Sequence, residues 1–202
     1  MEERNIPVKP LSKKYFQDYE MQETVDQDGK TERKLVYIGN TWSVCLPLEK
    51  YRRKKVVSAV LSACCVLLFL LANLQNTKSN IEGILPAFGI IVVIPLFVLC
   101  YGCIAGLWKK SIMTRAEYVE SSMTIKFGGF FTAALAILNF VWHAIFLMKS
   151  ASPEMGGLEG IVTVLWLVMS GLALFLWIAE LQTKYVVRNR YGAVIHREHF
   201  TR

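Results

Sequence analysis

Residues 50–74 read KYRRKKVVSAVLSACCVLLFLLANL, in which five basic residues are followed by 19 residues without a charge. An apolar stretch of this length matches the roughly 30 Å hydrocarbon thickness of a bilayer, at about 1.5 Å per helical residue. A basic cluster directly before such a stretch keeps that end on the cytoplasmic side. These residues therefore predict a transmembrane helix that begins in the cytoplasm.

Three further stretches repeat this pattern of a long apolar run bounded by charge. The chain has 202 residues, of which 53% are hydrophobic and 19% are charged. The separation of these two classes into blocks along the sequence is more informative than the overall composition. Apolar runs of this length have no use in the core of a soluble domain. We predict an all-α integral membrane protein whose 51–181 membrane domain has four transmembrane helices, at about 54–74, 83–108, 127–148 and 160–181.

The distribution of lysine and arginine predicts the orientation. The connections at 75–82 and 149–159 hold only Lys78 and Lys149, whereas the remaining connection and the flanking segments are rich in basic residues. Connections with excess lysine and arginine stay in the cytoplasm. We expect a multi-pass protein of the plasma membrane, with both termini in the cytoplasm.

The net charge of +7 fits the same interpretation. In a soluble protein it would favour a nucleic-acid partner, but here the basic residues stand where anionic lipid head groups lie. The expected partners are the lipid bilayer, anionic lipid head groups at the cytosolic face, and a membrane-protein partner or a second copy of the chain. No nucleic acid is expected.

Residues 21–50 are predicted to form a cytosolic β-hairpin segment. The runs at 33–38 and 41–46 are rich in β-branched and aromatic residues, and Gly39-Asn40 between them suits a two-residue hairpin turn. A third strand is expected upstream, at about 21–26.

The C-terminal segment, residues 182–202, repeats this pattern of short strands around a turn. Strands are predicted at 184–189 and 193–196. Because an isolated hairpin is only marginally stable in water, the N- and C-terminal hairpins are expected to pair into one small sheet, a cytosolic cap under the bundle. Residues 1–20 have no clear period and are expected to be extended or disordered.

Three local features of the membrane domain carry structural predictions. Ser58, Ser62 and Cys65 share one face of the first helix, and small residues on such a helix favour close packing. Pro95 removes a backbone hydrogen bond near the middle of the second span, which predicts a kink. The connection between the second and third spans is predicted to be a short interfacial helix. Its apolar face comprises Ile112, Ala116, Val119 and Met123.

Polar side chains recur at helical spacing on the third and fourth spans. An amide or hydroxyl that faced lipid would cost several kcal/mol, so these faces are expected to point into the bundle. The candidate site residues on the third span are Thr132, Asn139 and His143, and those on the fourth are Thr163, Ser170 and Glu180.

His143 is the strongest single candidate, because an ionisable group inside a span suggests a function. Glu154 or Glu159 is the expected partner from the facing connection. A proton relay or ligand role is one interpretation. The other is a neutral imidazole hydrogen-bonded to Asn139, Thr163 or a backbone carbonyl.

Glu180 and the cysteines have simpler interpretations. Glu180 is expected to form a solvated ion pair with Lys184, four residues further on, rather than to act as a coupling carboxylate. Cys100-x-x-Cys103 resembles a metal or redox pair only by spacing, and thiols in an apolar helix are more often packing residues. No catalytic, metal-ligating or cofactor-binding residue is predicted.

The sequence favours a non-catalytic accessory, anchoring or regulatory subunit of a membrane complex, since it holds few polar groups in the spans and no catalytic motif. Two alternatives stay open. One is an oligomeric transporter or channel for ions or small molecules, lined by Asn139, His143 and Thr163. The other is an intramembrane enzyme that uses His143 or the cysteines.

Overall fold

The computed structural model describes residues 18–25, 31–75, 77, 80, 86–149, 153–189 and 194–197. The helices are α1 (Leu48–Leu74), α2 (Pro86–Ile91), α3 (Val93–Trp108), α4 (Arg115–Tyr118), α5 (Thr124–Lys149) and α6 (Pro153–Leu181). A π-helical turn, Val119–Met123, joins α4 to α5. The strands are β1 (Tyr19–Val25), β2 (Thr31–Tyr37), β3 (Thr41–Val44), β4 (Ile112–Thr114), β5 (Tyr185–Arg188) and β6 (Val194–Arg197).

The predicted four long apolar helices are confirmed. In the described part of the chain, four helical stretches are long and apolar enough to cross a membrane. They are Leu48–Leu74, Gly89–Trp108, Arg115–Lys149 and Gly157–Leu181. The first begins earlier than predicted, because the basic residues before Val56 continue the helix rather than precede it.

The second of these helices is interrupted at Val92, between α2 and α3. Pro95 has no N–H to donate to the carbonyl of Ile91, and its ring crowds that same carbonyl. The interruption therefore lies three residues before the proline that the sequence marks as the site of a kink.

The core of the bundle is built from small and apolar side chains. The predicted packing face of α1 is confirmed, since Ser58, Ser62 and Cys65 are all buried. Trp166 and Met169 of α6 lie in the same core as Cys65. Large apolar side chains elsewhere point outward, including Val56, Leu67, Phe97, Ile104 and Val164.

A four-stranded sheet of order β4-β3-β5-β6 lies at one end of the bundle, and all its described pairings are antiparallel. Of its two central strands, β3 comes from the N-terminal part of the chain and β5 from the C-terminal part. The predicted tail hairpin is confirmed by the pairing of β5 with β6. The predicted single sheet from the two terminal segments is confirmed only in part, since β3 pairs with β5 while β1 and β2 form a separate two-stranded sheet.

The predicted hairpin around Gly39-Asn40 is wrong. β2 pairs with the upstream strand β1, with Tyr19 opposite Tyr37, and β3 belongs to the other sheet. The amides of Ile38 and Gly39 donate to the carbonyl of Asp18, so the chain leaves β2 without turning back on it. Both edges of β3 are filled by β4 and β5, which leaves no edge for β2.

The predicted interfacial helix between the second and third spans is also wrong in its first part. Ile112–Thr114 forms the edge strand β4, with Met113 opposite Trp42. Helix begins only after Thr114, whose hydroxyl accepts from the amide of Glu117 at 3.3 Å while the Glu117 carboxylate accepts from the amide of Thr114 at 2.9 Å. This capping box starts α4 there.

An aromatic cluster joins the sheet to the bundle. Tyr118 stacks on Trp42 of β3, with ring centroids 5.5 Å apart, and meets Tyr185 of β5 edge to face at 5.0 Å. Met113 is buried in the same cluster. The sheet therefore packs against the bundle through side chains from three separate parts of the chain.

Candidate functional site

The carboxylate of Glu180, at the end of α6, lies at the centre of a buried polar cluster beneath the sheet. Only 4% of the residue is exposed. Its Oε1 accepts hydrogen bonds from Ser122 Oγ at 2.5 Å and from the Tyr185 hydroxyl at 2.7 Å. Lys54 Nζ lies 2.5 Å from the second oxygen. We call these four residues the Glu180 cluster.

The prediction of a solvated ion pair between Glu180 and Lys184 is therefore wrong. Lys184 is exposed, whereas Glu180 is paired with Lys54 of α1. A carboxylate this deeply buried needs a counter-charge and hydrogen bonds, and α1 brings an ammonium group to it. Lys54 also donates to the Thr183 hydroxyl, which itself donates to the carbonyl of Ala179.

The π-helical turn supplies the serine of this cluster. A turn with one extra residue changes the direction of the side chains that follow, and both Ser121 and Ser122 are buried in it. Ser121 donates to the carbonyl of Glu117 at 2.7 Å. This leaves Ser122 to reach the carboxylate.

Tyr185 acts as a fixed hydrogen-bond donor. Burial raises the pKa of its phenol above the ordinary value of 10.0, and the neighbouring Glu180 carboxylate raises this pKa further. The phenol consequently stays protonated. The cluster holds one carboxylate, one ammonium and two hydroxyls, beside a cavity of about 30 Å³. Such a cavity has room for about one water molecule.

A second polar cluster lies at the opposite end of α5 and α6. His143 Nδ1 is 3.5 Å from Glu159 Oε2, and each residue is 2% exposed. The imidazole stacks on the ring of Trp166, with centroids 6.3 Å apart. Trp166 Nε1 is buried and has no hydrogen-bond acceptor among the described residues. We call His143, Glu159 and Trp166 the His143 cluster.

Of the two predicted partners of His143, Glu159 is in contact with it. The side chain of Glu154 lies outside the described residues. Asn139 and Thr163 donate to carbonyls of their own helices, those of Leu135 and Glu159.

All six candidate site residues are buried. The structure places two of them at opposite ends of the bundle, Glu180 in the Glu180 cluster and His143 in the His143 cluster. Ser170 donates to the carbonyl of Leu167 at 2.7 Å. Thr132 Oγ1 is buried without a hydrogen-bond partner among the described residues. Their functional roles stay predictions.

Sequence reasoning missed Lys54, Ser122 and Tyr185 as partners of Glu180. Lys54 is one of five basic residues before the first apolar run, and nothing in its spacing distinguishes it from the others. The partners come from α1, the π-helical turn and β5, so only the tertiary fold brings them together. The only feature of the sequence that could have indicated this cluster is Glu180 itself, an acidic residue at the end of an apolar run.

The cysteines do not form a site in the described structure. All five have free thiols. Cys100 Sγ lies 3.7 Å from the carbonyl of Ser62, in the packing between α3 and α1. In the described part of the chain, no three His, Cys, Asp or Glu side chains are grouped so that they could hold a metal ion.

Comparisons with models of known protein families, with curated proteins and with solved structures found no match to this chain.

Proposed function

We propose that this chain is a multi-pass plasma-membrane protein that acts as a non-catalytic accessory subunit. It anchors or regulates a partner protein through the sheet at the cytosolic end of its helical bundle. Four apolar helices with outward-facing Val, Leu, Ile and Phe side chains support membrane insertion. The basic residues that predict the cytosolic side include Lys54, which lies in the Glu180 cluster beneath the sheet.

The observation that carries this proposal is the network of contacts that attaches the sheet to the helices. The Glu180 cluster links α1, α6, the π-helical turn and β5 through charge-assisted hydrogen bonds, which are about twice as strong as neutral ones. The packing of Tyr118 on Trp42 and Tyr185 adds an aromatic contact. A sheet held this firmly presents a fixed surface, as an anchoring subunit requires.

The sheet also offers an edge to a partner. β4 is the last strand in the order β4-β3-β5-β6, and its outer edge has no neighbour among the described strands. Ile112 on this strand is 58% exposed. An unpaired edge with an exposed apolar side chain favours pairing with another chain.

Photo-crosslinking in native membranes tests the proposal. A photoreactive residue at Ile112 is expected to give adducts with a different protein. Val164 on α6 is a matched control position, since it is 56% exposed but faces away from the core of the bundle. Adducts between copies of this chain at Val164, with none to another protein at Ile112, would contradict the accessory role and favour a homo-oligomer.

The transporter alternative has weaker support. Asn139, His143 and Thr163 are buried inside the bundle of one chain, whereas a pathway between copies would need them on an outer face. The His143 cluster is the observation that favours it, because a buried His–Glu pair lies beside an indole N–H that has no acceptor in the described part of the chain, as in a proton or ligand site. An intramembrane enzyme has the least support, since the cluster contains no activated nucleophile.

A further inference from the structure

A basic groove of about 320 Å³ lies between the sheet-end termini of α1 and α3. Among the described residues that line it, four are the cations Arg52, Lys55, Lys109 and Lys110, and none is acidic. Its volume is in the range of small-ligand sites. The Glu180 cluster, by contrast, is electrically balanced and has room for little more than one water molecule.

Two of the four cations have structural roles. Lys55 Nζ donates to the carbonyls of Leu107 at 2.9 Å and Lys109 at 2.8 Å, where it satisfies the C-terminal end of α3. Lys109 Nζ is paired with Glu120 at 2.6 Å. These contacts hold the walls of the groove in place.

The other two cations remain available for a ligand. Arg52 and Lys110 are exposed, and neither forms an ion pair with a residue that the structure describes. A guanidinium can bind two phosphate oxygens at once, and an ammonium adds a point charge beside it. The chemistry of the groove therefore suits a phosphate group.

The position of the groove favours a lipid as the source of that phosphate. Trp108, which lines it, is 84% exposed and ends an apolar helix. Directly beyond the groove, Val56 on α1 and Ile104 on α3 are more than half exposed. A phosphate in the groove would thus sit at the level of the head groups, with apolar helix surface below it for the acyl chains.

We propose that this groove binds the head group of an anionic phospholipid through Arg52 and Lys110. The inference rests on the proposed membrane insertion and identifies one lipid site on the cytosolic face. It predicts a bound lipid, beyond the general attraction that any basic surface has for an acidic membrane.

Native mass spectrometry of the full chain in detergent, titrated with phosphatidylglycerol, tests the site. Each basic contact near a membrane surface contributes about 1 kcal/mol, so the double variant Arg52→Gln/Lys110→Gln is expected to bind about thirtyfold more weakly. The single variants are expected to bind about fivefold more weakly, and they decide the matter if the double variant does not fold.

The matched control is Arg53→Gln/Lys184→Gln, which removes two exposed charges that do not line the groove. Affinity unchanged in this control supports the site. Equal weakening in the control and in the groove variant would mean diffuse attraction and would overturn it. Inorganic phosphate that binds as tightly as phosphatidylglycerol would overturn the lipid assignment in favour of a soluble phosphate.

A separate measurement distinguishes failure of the groove from failure of membrane insertion. After alkaline carbonate extraction the chain is expected to stay with the membranes. Release into the soluble fraction would overturn insertion and the groove proposal together. Retention with no effect of the groove variant on phosphatidylglycerol binding would overturn the groove alone.

Discussion

Lys54 and Glu180 are 126 positions apart in the sequence, yet Lys54 Nζ lies 2.5 Å from Glu180 Oε2. The pair joins the beginning of the first apolar run to the end of the last. Ser122 and Tyr185 complete the coordination of the same carboxylate.

Glu180→Gln is expected to destabilise the protein by about 3 kcal/mol, because it leaves the Lys54 ammonium partly buried without its counter-charge. Lys184→Gln, which removes an exposed charge, is expected to change the free energy of unfolding by less than about 0.5 kcal/mol. Thermal unfolding in detergent measures both. Comparable losses of stability in the two variants would indicate that Lys184 is the partner of Glu180.

Tyr185→Phe is expected to flatten the alkaline pH dependence of stability. The folded protein holds the pKa of Tyr185 above 10.0, so above that pH the unfolded chain loses this proton while the folded chain keeps it. The unfolded state then binds fewer protons, and the free energy of unfolding falls as pH rises. Between pH 8 and about 11, the free energy of unfolding should fall less steeply in the variant than in the wild type. Identical slopes would contradict this prediction.

Gly128→Ala is expected to destabilise the bundle by about 1–3 kcal/mol. A Cβ at Gly128 would lie 2.5 Å from the backbone N of Leu99, so α3 and α5 would have to move apart. Gly171→Ala is the control, because a Cβ there meets nothing within 4 Å and alanine favours helix. Thermal unfolding should place the two variants on opposite sides of the wild type; a neutral Gly128→Ala would show that the helices are not in close contact.

His143→Gln is expected to keep the fold, because an amide can donate one hydrogen bond to Glu159 in place of the imidazole. His143→Leu is expected to cost about 1–3 kcal/mol, since it leaves the buried carboxylate without this donor. Unfolding measurements compare the two. If His143→Leu is as stable as the wild type, the His143–Glu159 contact contributes little to stability, and a role in proton or ligand binding gains support.

The orientation is tested by thiol labelling in a chain whose native cysteines are replaced by alanine. Single cysteines at Asn76 and Ser152 are expected to react with an impermeant reagent in intact cells. A cysteine at Lys184 is expected to react only after permeabilisation, because segments rich in lysine and arginine favour the cytoplasmic side. Lys184 suits this role because its side chain is exposed. The reverse labelling pattern would overturn the orientation.

The long helices were predictable because hydropathy and length are properties of contiguous residues. The runs that begin at Val56 and Phe127 each predict a helix without reference to the rest of the chain. Strand existence was also predictable in part, since β1, β2, β3, β5 and β6 all overlap predicted strands.

Strand pairing and polar partners were not predictable in this way. Gly39-Asn40 is a good hairpin signal, but β3 gains more by pairing with β4 and β5, which bury Met113 and Tyr185 beside Tyr118. β4 has three residues, too few for a strand period to be seen in the sequence. Glu180 was placed with Lys184 because i,i+4 spacing is visible, whereas its contact with Lys54 exists only in the folded chain.

The π-helical turn sets the rotational phase of the third apolar helix. α4, the turn and α5 form one continuous helix, so each residue added or removed there would rotate everything beyond it by about 100°. Tyr118 could then no longer face the sheet while His143 faces Glu159. The length of this short turn therefore coordinates the two ends of the molecule, and it should tolerate substitution more readily than insertion or deletion.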